Sequence, residues 1–267
     1  MRTLIPARVP FMASTFRKAR LREWLDERRP ATRNRYRAAA SSFAEYLVDR
    51  EIIEANPVLA LKARKENPSR VQYLNRDEAR SLVDALAHSD RAFHAFLLAT
   101  GVDAGGALRV RFRDIETVDN EITFRVPGTK TATRDRVRRM TEAWAAAIVK
   151  EHLRANRGAP NALAFDLGQG EATDADIKRA ISRTRNALLS ACKAVRLSDY
   201  CTRDHRHTYA VQALRDGYSY GVVAFQLGHN TTALVHKVYG RFVPNAADYM
   251  KAGELDDVPT SAKVRSA

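Results

Sequence analysis

Between Arg203 and Arg241 the sequence reads RDHRHTYAVQALRDGYSYGVVAFQLGHNTTALVHKVYGR. Within 34 positions it presents Arg206, His229 and Tyr239 in that order: a permanent cation, a ring able to donate or pass a proton, and a phenol. Those three groups are what attack by a phenol oxygen on a phosphate diester requires. The guanidinium and the imidazole would hold the charge that develops on the nonbridging oxygens, and the phenol would supply the nucleophile.

Each group sits on an element that the local pattern supports. Thr202 is expected to cap a helix whose apolar face is Tyr209, Ala210, Ala213 and Leu214, with Gly217 as its stop. Arg203 and Arg206, three apart, would share one face of it. Val222 to Leu227 reads as a short apolar helix ended by Gly228, which leaves His229 at a helix terminus. Thr231 would cap a last helix with the stripe Leu234, Val235, Val238 and Phe242, and Tyr239 beside it.

The ordered set resembles the carboxy-terminal signature of the tyrosine recombinase (phage integrase) family, H-x-L-R-H-T, then L-G-H, then a tyrosine. Arg206-His207-Thr208 and Leu227-Gly228-His229 match it, and Tyr239 follows His229 by ten residues. Gly128-Thr129-Lys130-Thr131, at the turn between two basic stretches, matches the family's hairpin lysine, which protonates the 5′ leaving oxygen. Nearer the amino terminus, Thr32/Tyr36, Phe43/Tyr46-Leu47 and Asn56-Pro57-Val58 are similar to the family's core-DNA-binding domain. The resemblance implies a 3′-phosphotyrosyl intermediate formed without ATP, metal or other cofactor. It also implies a C-shaped clamp on double-stranded DNA and a homotetramer on paired sites.

Composition agrees with a polyanionic partner. The 267 residues carry a net charge of +14, and neutralising nucleic acid is the usual reason for such an excess. Cys192 and Cys201 make neither a disulfide framework nor a zinc site. No apolar run approaches the roughly 18 residues of a membrane span, so a soluble cytoplasmic protein is expected.

Taken in order, residues 1–15 read as a flexible lead and 16–64 as a small helical domain of the SAM-like, core-binding type. Phe16, Leu21, Trp24 and Leu25 mark a first helix that closes near Arg29-Pro30. Thr32 would cap a second, with Tyr36, Ala40, Phe43 and Leu47 on its stripe, broken at Asn56-Pro57. Arg33, Arg35 and Arg37 on this helix are candidate phosphate contacts. Residues 65–73 read as a linker, 74–250 as the catalytic domain and 251–267 as a polar tail. Asn75 with Glu78 forms a capping box, followed by helices at 76–87 and 90–100. Ile122, Phe124 and Val126 alternate as a strand, and Arg134 to Met140 returns as a basic one, giving Arg134, Arg136 and Arg138 as further DNA contacts. Helices follow from Thr141 to about Arg154, and after Thr173 with Ile177, Ile181, Thr184 and Leu188. The fold class is mainly α with a small antiparallel β-sheet, resembling the DNA breaking-rejoining catalytic domain.

One member of the family pattern is missing. Where T-G-x-R-x-x-E is expected, Thr100-Gly101-Val102 is followed by Asp103, and Gly106 replaces the acid. Loss of one transition-state donor costs ~3–4 kcal/mol, and a carboxylate there would repel phosphate as well. Either Arg203, in the position where the family has a histidine or lysine, supplies the charge, or another arginine swings in, although Arg109 would point away on a helix and Arg111 would lie two turns distant, or the protein binds DNA without cutting it. Retention of Lys130, Arg206, His229 and Tyr239 favours an enzyme. His205 is open between packing and phosphate contact, and His207 reads as structural.

Overall fold

The computed structural model describes residues 17–66, 70–118, 121–127, 137–167, 173–198 and 200–243. The chain divides into two compact units, 1–69 and 70–267.

In the first unit α1 (Lys18–Asp26) packs on α2 (Pro30–Asp49). Their core is Leu21, Leu25, Ala40, Ala44, Val58 and Leu61, flanked by Trp24, Tyr36 and Ile53. α2 starts two residues before the expected Thr32 cap. Pro30 occupies the first turn, where a residue lacking an N–H and with a preset φ costs nothing. The helix also ends before Asn56-Pro57, with Glu51 turning left-handed at φ 56°. Its inner stripe is Arg33, Ala40, Ala44 and Leu47, and Phe43 is 40% exposed, stacked on Tyr46 instead of buried.

Arg33 is therefore corrected as a candidate phosphate contact, and Arg37 is half-buried. Arg33 is 5% exposed; its Nε donates to Asp26 Oδ1 at 3.0 Å and its Nη1 to the Lys62 carbonyl at 2.9 Å. Arg37 Nη1 donates to the Leu61 carbonyl at 3.1 Å, and Asn34 exchanges two hydrogen bonds with the Arg64 backbone. A thin core with two alanines is held by these polar clasps on segment 61–64, which has no ladder partner of its own. Arg35 alone of the three is exposed, its guanidinium over the Tyr36 ring.

The second unit is organised around α4 (His88–Thr100), where every residue from Ala92 to Thr100 is buried. A helix apolar on all sides belongs in a centre, and α3 (Arg76–Asp84), α6 (Ala143–Ala155) and α8 (Thr202–Arg215) pack against it. Phe96 meets Phe124 edge-on and Phe165 tilted, both at 4.9 Å. The Asn75–Glu78 box opens α3, and a second, Thr173 with Asp176, opens α7 (Asp174–Ala194). Between α4 and α6 lie the short α5 (Ala104–Ala107) and an antiparallel sheet of strand order β1-β2-β3: Ile115–Val118, Glu121–Arg125 and Val137–Arg139. The first of these strands carries no alternating signature, because only its two ends are apolar. The last layer is α8, α9 (Tyr220–Leu227) and α10 (Ala233–Tyr239), with their own apolar cluster.

Alternation in the sheet corrects another candidate. Arg138 faces inward opposite Phe124 and is 4% exposed, whereas Arg139 and Arg125 face outward. Lys130, Arg134 and Arg136 lie outside the described residues, as do the expected lead and tail.

Candidate active site

Three helix ends build the site. α4 terminates in Gly101 at φ 65°, a left-handed cap that glycine takes without strain. A side chain there would also collide, because an added Cβ would lie 2.6 Å from Leu227 and 2.6 Å from Tyr209. α9 terminates in Gly228 at φ 74°; the Gly228 N–H bonds the Phe225 carbonyl at 3.0 Å and the His229 N–H bonds the Ala224 carbonyl at 2.9 Å. That double bond is a Schellman motif, so Leu-Gly-His fixes where His229 leaves the helix.

Each of these ends leaves a backbone carbonyl without a helical partner. Arg206, from the second turn of α8, takes both: Nη1 donates to the Gly101 carbonyl and Nη2 to the Leu227 carbonyl, each at 2.8 Å. A cation between two helix carboxy termini is also favoured by both dipoles. Nη2 further lies 2.8 Å from His229 Nε2. A guanidinium has only donors, so that nitrogen accepts and His229 carries its proton on Nδ1.

Tyr239 is the last residue of α10 and is 3% exposed; it lies within the helix's buried stripe with Val235, and the expected stripe member Leu234 is 48% exposed. Its hydroxyl is 2.9 Å from His207 Nδ1. Burial raises the phenol pKa above its usual 10, and the positive charges of Arg206 and Arg203 oppose that rise. His207 is shifted below the usual 6.5, first by burial and then by Arg203 and Arg206, against Asp204. His207, which reads as structural in the sequence, is thus a direct neighbour of the Tyr239 hydroxyl. A contact spanning 32 residues leaves no local pattern that could have announced it.

The residues around Arg206 divide their work. Thr208 is buried; its Oγ1 accepts from the Leu74 N–H at 3.2 Å and meets the Tyr200 hydroxyl at 3.0 Å. His205 is packed, which closes the question left by the sequence: it is fully buried, its Nε2 2.9 Å from His94 Nδ1. Burial lowers His94 to about 4 and holds His205 well below its usual range, so this pair is neutral. The helix cap is Cys201, one residue earlier than expected, whose N–H donates to Asp204 at 2.8 Å. Arg203 is exposed, one turn before Arg206. Gln226 of α9 donates to the Arg139 carbonyl at 2.6 Å, tying the sheet to the helix that presents His229.

Asp103 is exposed and caps α5, its Oδ1 accepting from the Gly106 N–H at 2.9 Å. It stands two residues beyond the Gly101 carbonyl that Arg206 holds. Arg109 is committed elsewhere, to the Gly105 carbonyl at 2.7 Å and Asp174 at 2.6 Å, and Arg111 is bonded to the Asn161 carbonyl. Neither takes the place of the missing arginine. Among the described residues no group of histidine, cysteine and carboxylate side chains could hold a metal ion, and no helix is long and apolar enough to cross a membrane.

Solved structures share this fold. The Tn1549 transposon integrase in complex with transposon right end DNA matches 90% of this chain and 85% of its own, with a TM-score of 0.68 at 14% identity. A lambda integrase dimer bound to a COC′ core site matches over 94% and 68%, with a TM-score of 0.63 at 17% identity. XerH site-specific recombinase, in a post-cleavage complex on palindromic difH substrate, matches over 89% and 70%, with a TM-score of 0.62 at 18% identity. No protein-family model matches the chain, and no curated protein matches it. The fold matches that of the tyrosine recombinases in these structures, a small helical unit followed by a mainly helical unit with a small antiparallel sheet.

Proposed function

We propose that this chain is a site-specific DNA recombinase or integrase that cuts and rejoins duplex DNA through Tyr239. The carrying observation is the convergence of Arg206 and His229 at two helix ends, in the same small layer that holds Tyr239. Tyr239 attacks a DNA phosphate, giving a 3′-phosphotyrosyl ester and a free 5′ hydroxyl. One ester replaces another, so no external energy source is required. Arg206 stabilises the pentavalent phosphorus, and His229, whose Nε2 accepts from it, holds that guanidinium in place. Arg203, exposed on the same helix, supplies the second charge in place of the arginine that Asp103 displaces, and Lys130 protonates the leaving oxygen. Arg35, Arg134 and Arg136 contact the backbone, and the protein acts in the cytoplasm as a tetramer on paired duplexes. That assembly is favoured by the lambda integrase tetramer solved on a Holliday junction.

Asp103 supports a second reading, a homologue that binds DNA and regulates without cutting. One experiment separates the two. The protein is incubated with a pool of nicked duplexes of randomised sequence, and covalent adducts are captured under denaturing conditions and sequenced. Adducts that vanish with Tyr239→Phe support the enzyme. Salt-sensitive binding with no adduct supports the regulator.

A further inference from the structure

His207 is placed for more than packing. A buried phenol needs an acceptor for its proton, and the partner that Tyr239 has is His207 Nδ1, at 2.9 Å. Other nearby candidates fail on chemistry. Arg203 fills the position where the resemblance calls for a histidine or lysine, and a guanidinium cannot accept a proton. His229 Nε2 already accepts from Arg206. We infer that His207 Nδ1 is the base that takes the Tyr239 proton during strand cleavage and returns it during rejoining. This rests on the recombinase reading.

The step balances. Tyr239 Oη forms a bond to phosphorus while its proton moves to His207 Nδ1, giving an imidazolium. The bond from phosphorus to the 5′ oxygen breaks, and that oxygen keeps the electron pair and takes a proton from the Lys130 ammonium or from water. Rejoining runs the same transfers backwards. The surroundings suit a proton acceptor. Tyr239 from α10 contacts the ring, and burial together with the charges of Arg203 and Arg206 outweighs Asp204, all three on α8, and favours neutral imidazole, the accepting form. The phenol, shifted upward, keeps its proton until attack and therefore needs a base.

The test uses the full chain and the nicked duplexes recovered by covalent capture. Adduct formation is timed from pH 5 to 8 for the wild type, His207→Gln and His207→Ala, with thermal melting and DNA binding as checks on folding. Wild type is expected to slow as pH falls through a value below 6.5. His207→Gln, which can hold the phenol but not take its proton, is expected to be about 10²–10⁴-fold slower and to lack that acid limb. Added imidazole should restore part of the rate to His207→Ala. A Gln variant as fast as wild type with the same acid limb, or faster, overturns the inference and makes the contact a latch. Absence of any Tyr239-dependent adduct from wild type overturns the recombinase reading instead. Independently of DNA, the ¹⁵N shifts of the His207 ring, assigned against Tyr239→Phe, give its tautomer. A proton on Nε2 supports the inference, and a proton on Nδ1 overturns it whatever the adduct assay gives.

Discussion

Two helices of this protein carry arginines at neighbouring positions, and they use them differently. On α2, Arg33 is matched to a carboxylate and its other bond holds the carbonyl of a loop in the same unit. On α8, the bonds that position Arg206 go to carbonyls at the ends of two helices and to an imidazole. Both side chains are anchored, yet only the second is anchored beside an imidazole and in the layer that holds the Tyr239 phenol. A cation in the sequence is weak evidence for a phosphate site. A cation fixed next to an imidazole and a phenol from other helices is stronger evidence, because the residue types that phosphate chemistry needs are then gathered from distant segments.

Substitutions sharpen the contrast. Arg206→Ala is expected to lower Tyr239-dependent adduct formation by about 10²–10³-fold or more. It should also destabilise the second unit by about 1–3 kcal/mol for each helix-end carbonyl left bare. A normal adduct rate in quench-flow assays would remove Arg206 from the chemistry. Arg206→Lys should rescue little, since a single ammonium nitrogen lacks the planar fork whose two nitrogens reach the Gly101 and Leu227 carbonyls.

The next effect, by size, is on stability against pH. Unfolded histidine titrates near 6.5 and His94 in the fold at about 4, so between these values the unfolded chain binds more protons. Stability is complete above pH 6.5 and falls with acidification, by about 3 kcal/mol for His94 near pH 4; His205 shifts in the same direction. Urea midpoints at pH 7, 5.5 and 4.5 would register the loss, and the double substitution His94→Leu with His205→Leu should flatten it.

On α2, Arg33→Met should cost the first unit about 2 kcal/mol by denaturant melting, the value of charged hydrogen bonds to Asp26 and Lys62. Its DNA binding, once folded, should keep the wild-type salt slope. Arg35→Ala is the reverse and the smallest: stability within about 0.5 kcal/mol, and a salt slope lower by about one if it meets a phosphate. A lowered slope for Arg33→Met would restore it as a contact.

What can be read ahead follows from range. Capping boxes, glycine stops and the apolar face of α8 act over a few residues, so Asn75, Thr173, Gly217 and Gly228 are legible. The start of α2 misleads because Pro30, which reads as a break, serves equally as a first-turn residue. Arg33 and Arg138 read as surface cations because charge alone does not say which face of an element a residue occupies. Distant pairings such as His207 with Tyr239, and Arg206 with the Gly101 carbonyl, carry no local signature, though the residue types hint at their chemistry.

Leu74, just before the second unit's first helix, gives its N–H to Thr208 and its carbonyl to Gln212, partners 134 and 138 positions later. Such a closure makes assembly slow and late, since the intervening chain must be gathered before either bond rewards it. During synthesis the opening segment of this unit waits for α8, which also delivers Arg206, so the Arg206 bonds to the Gly101 and Leu227 carbonyls form in the same event that seals the domain.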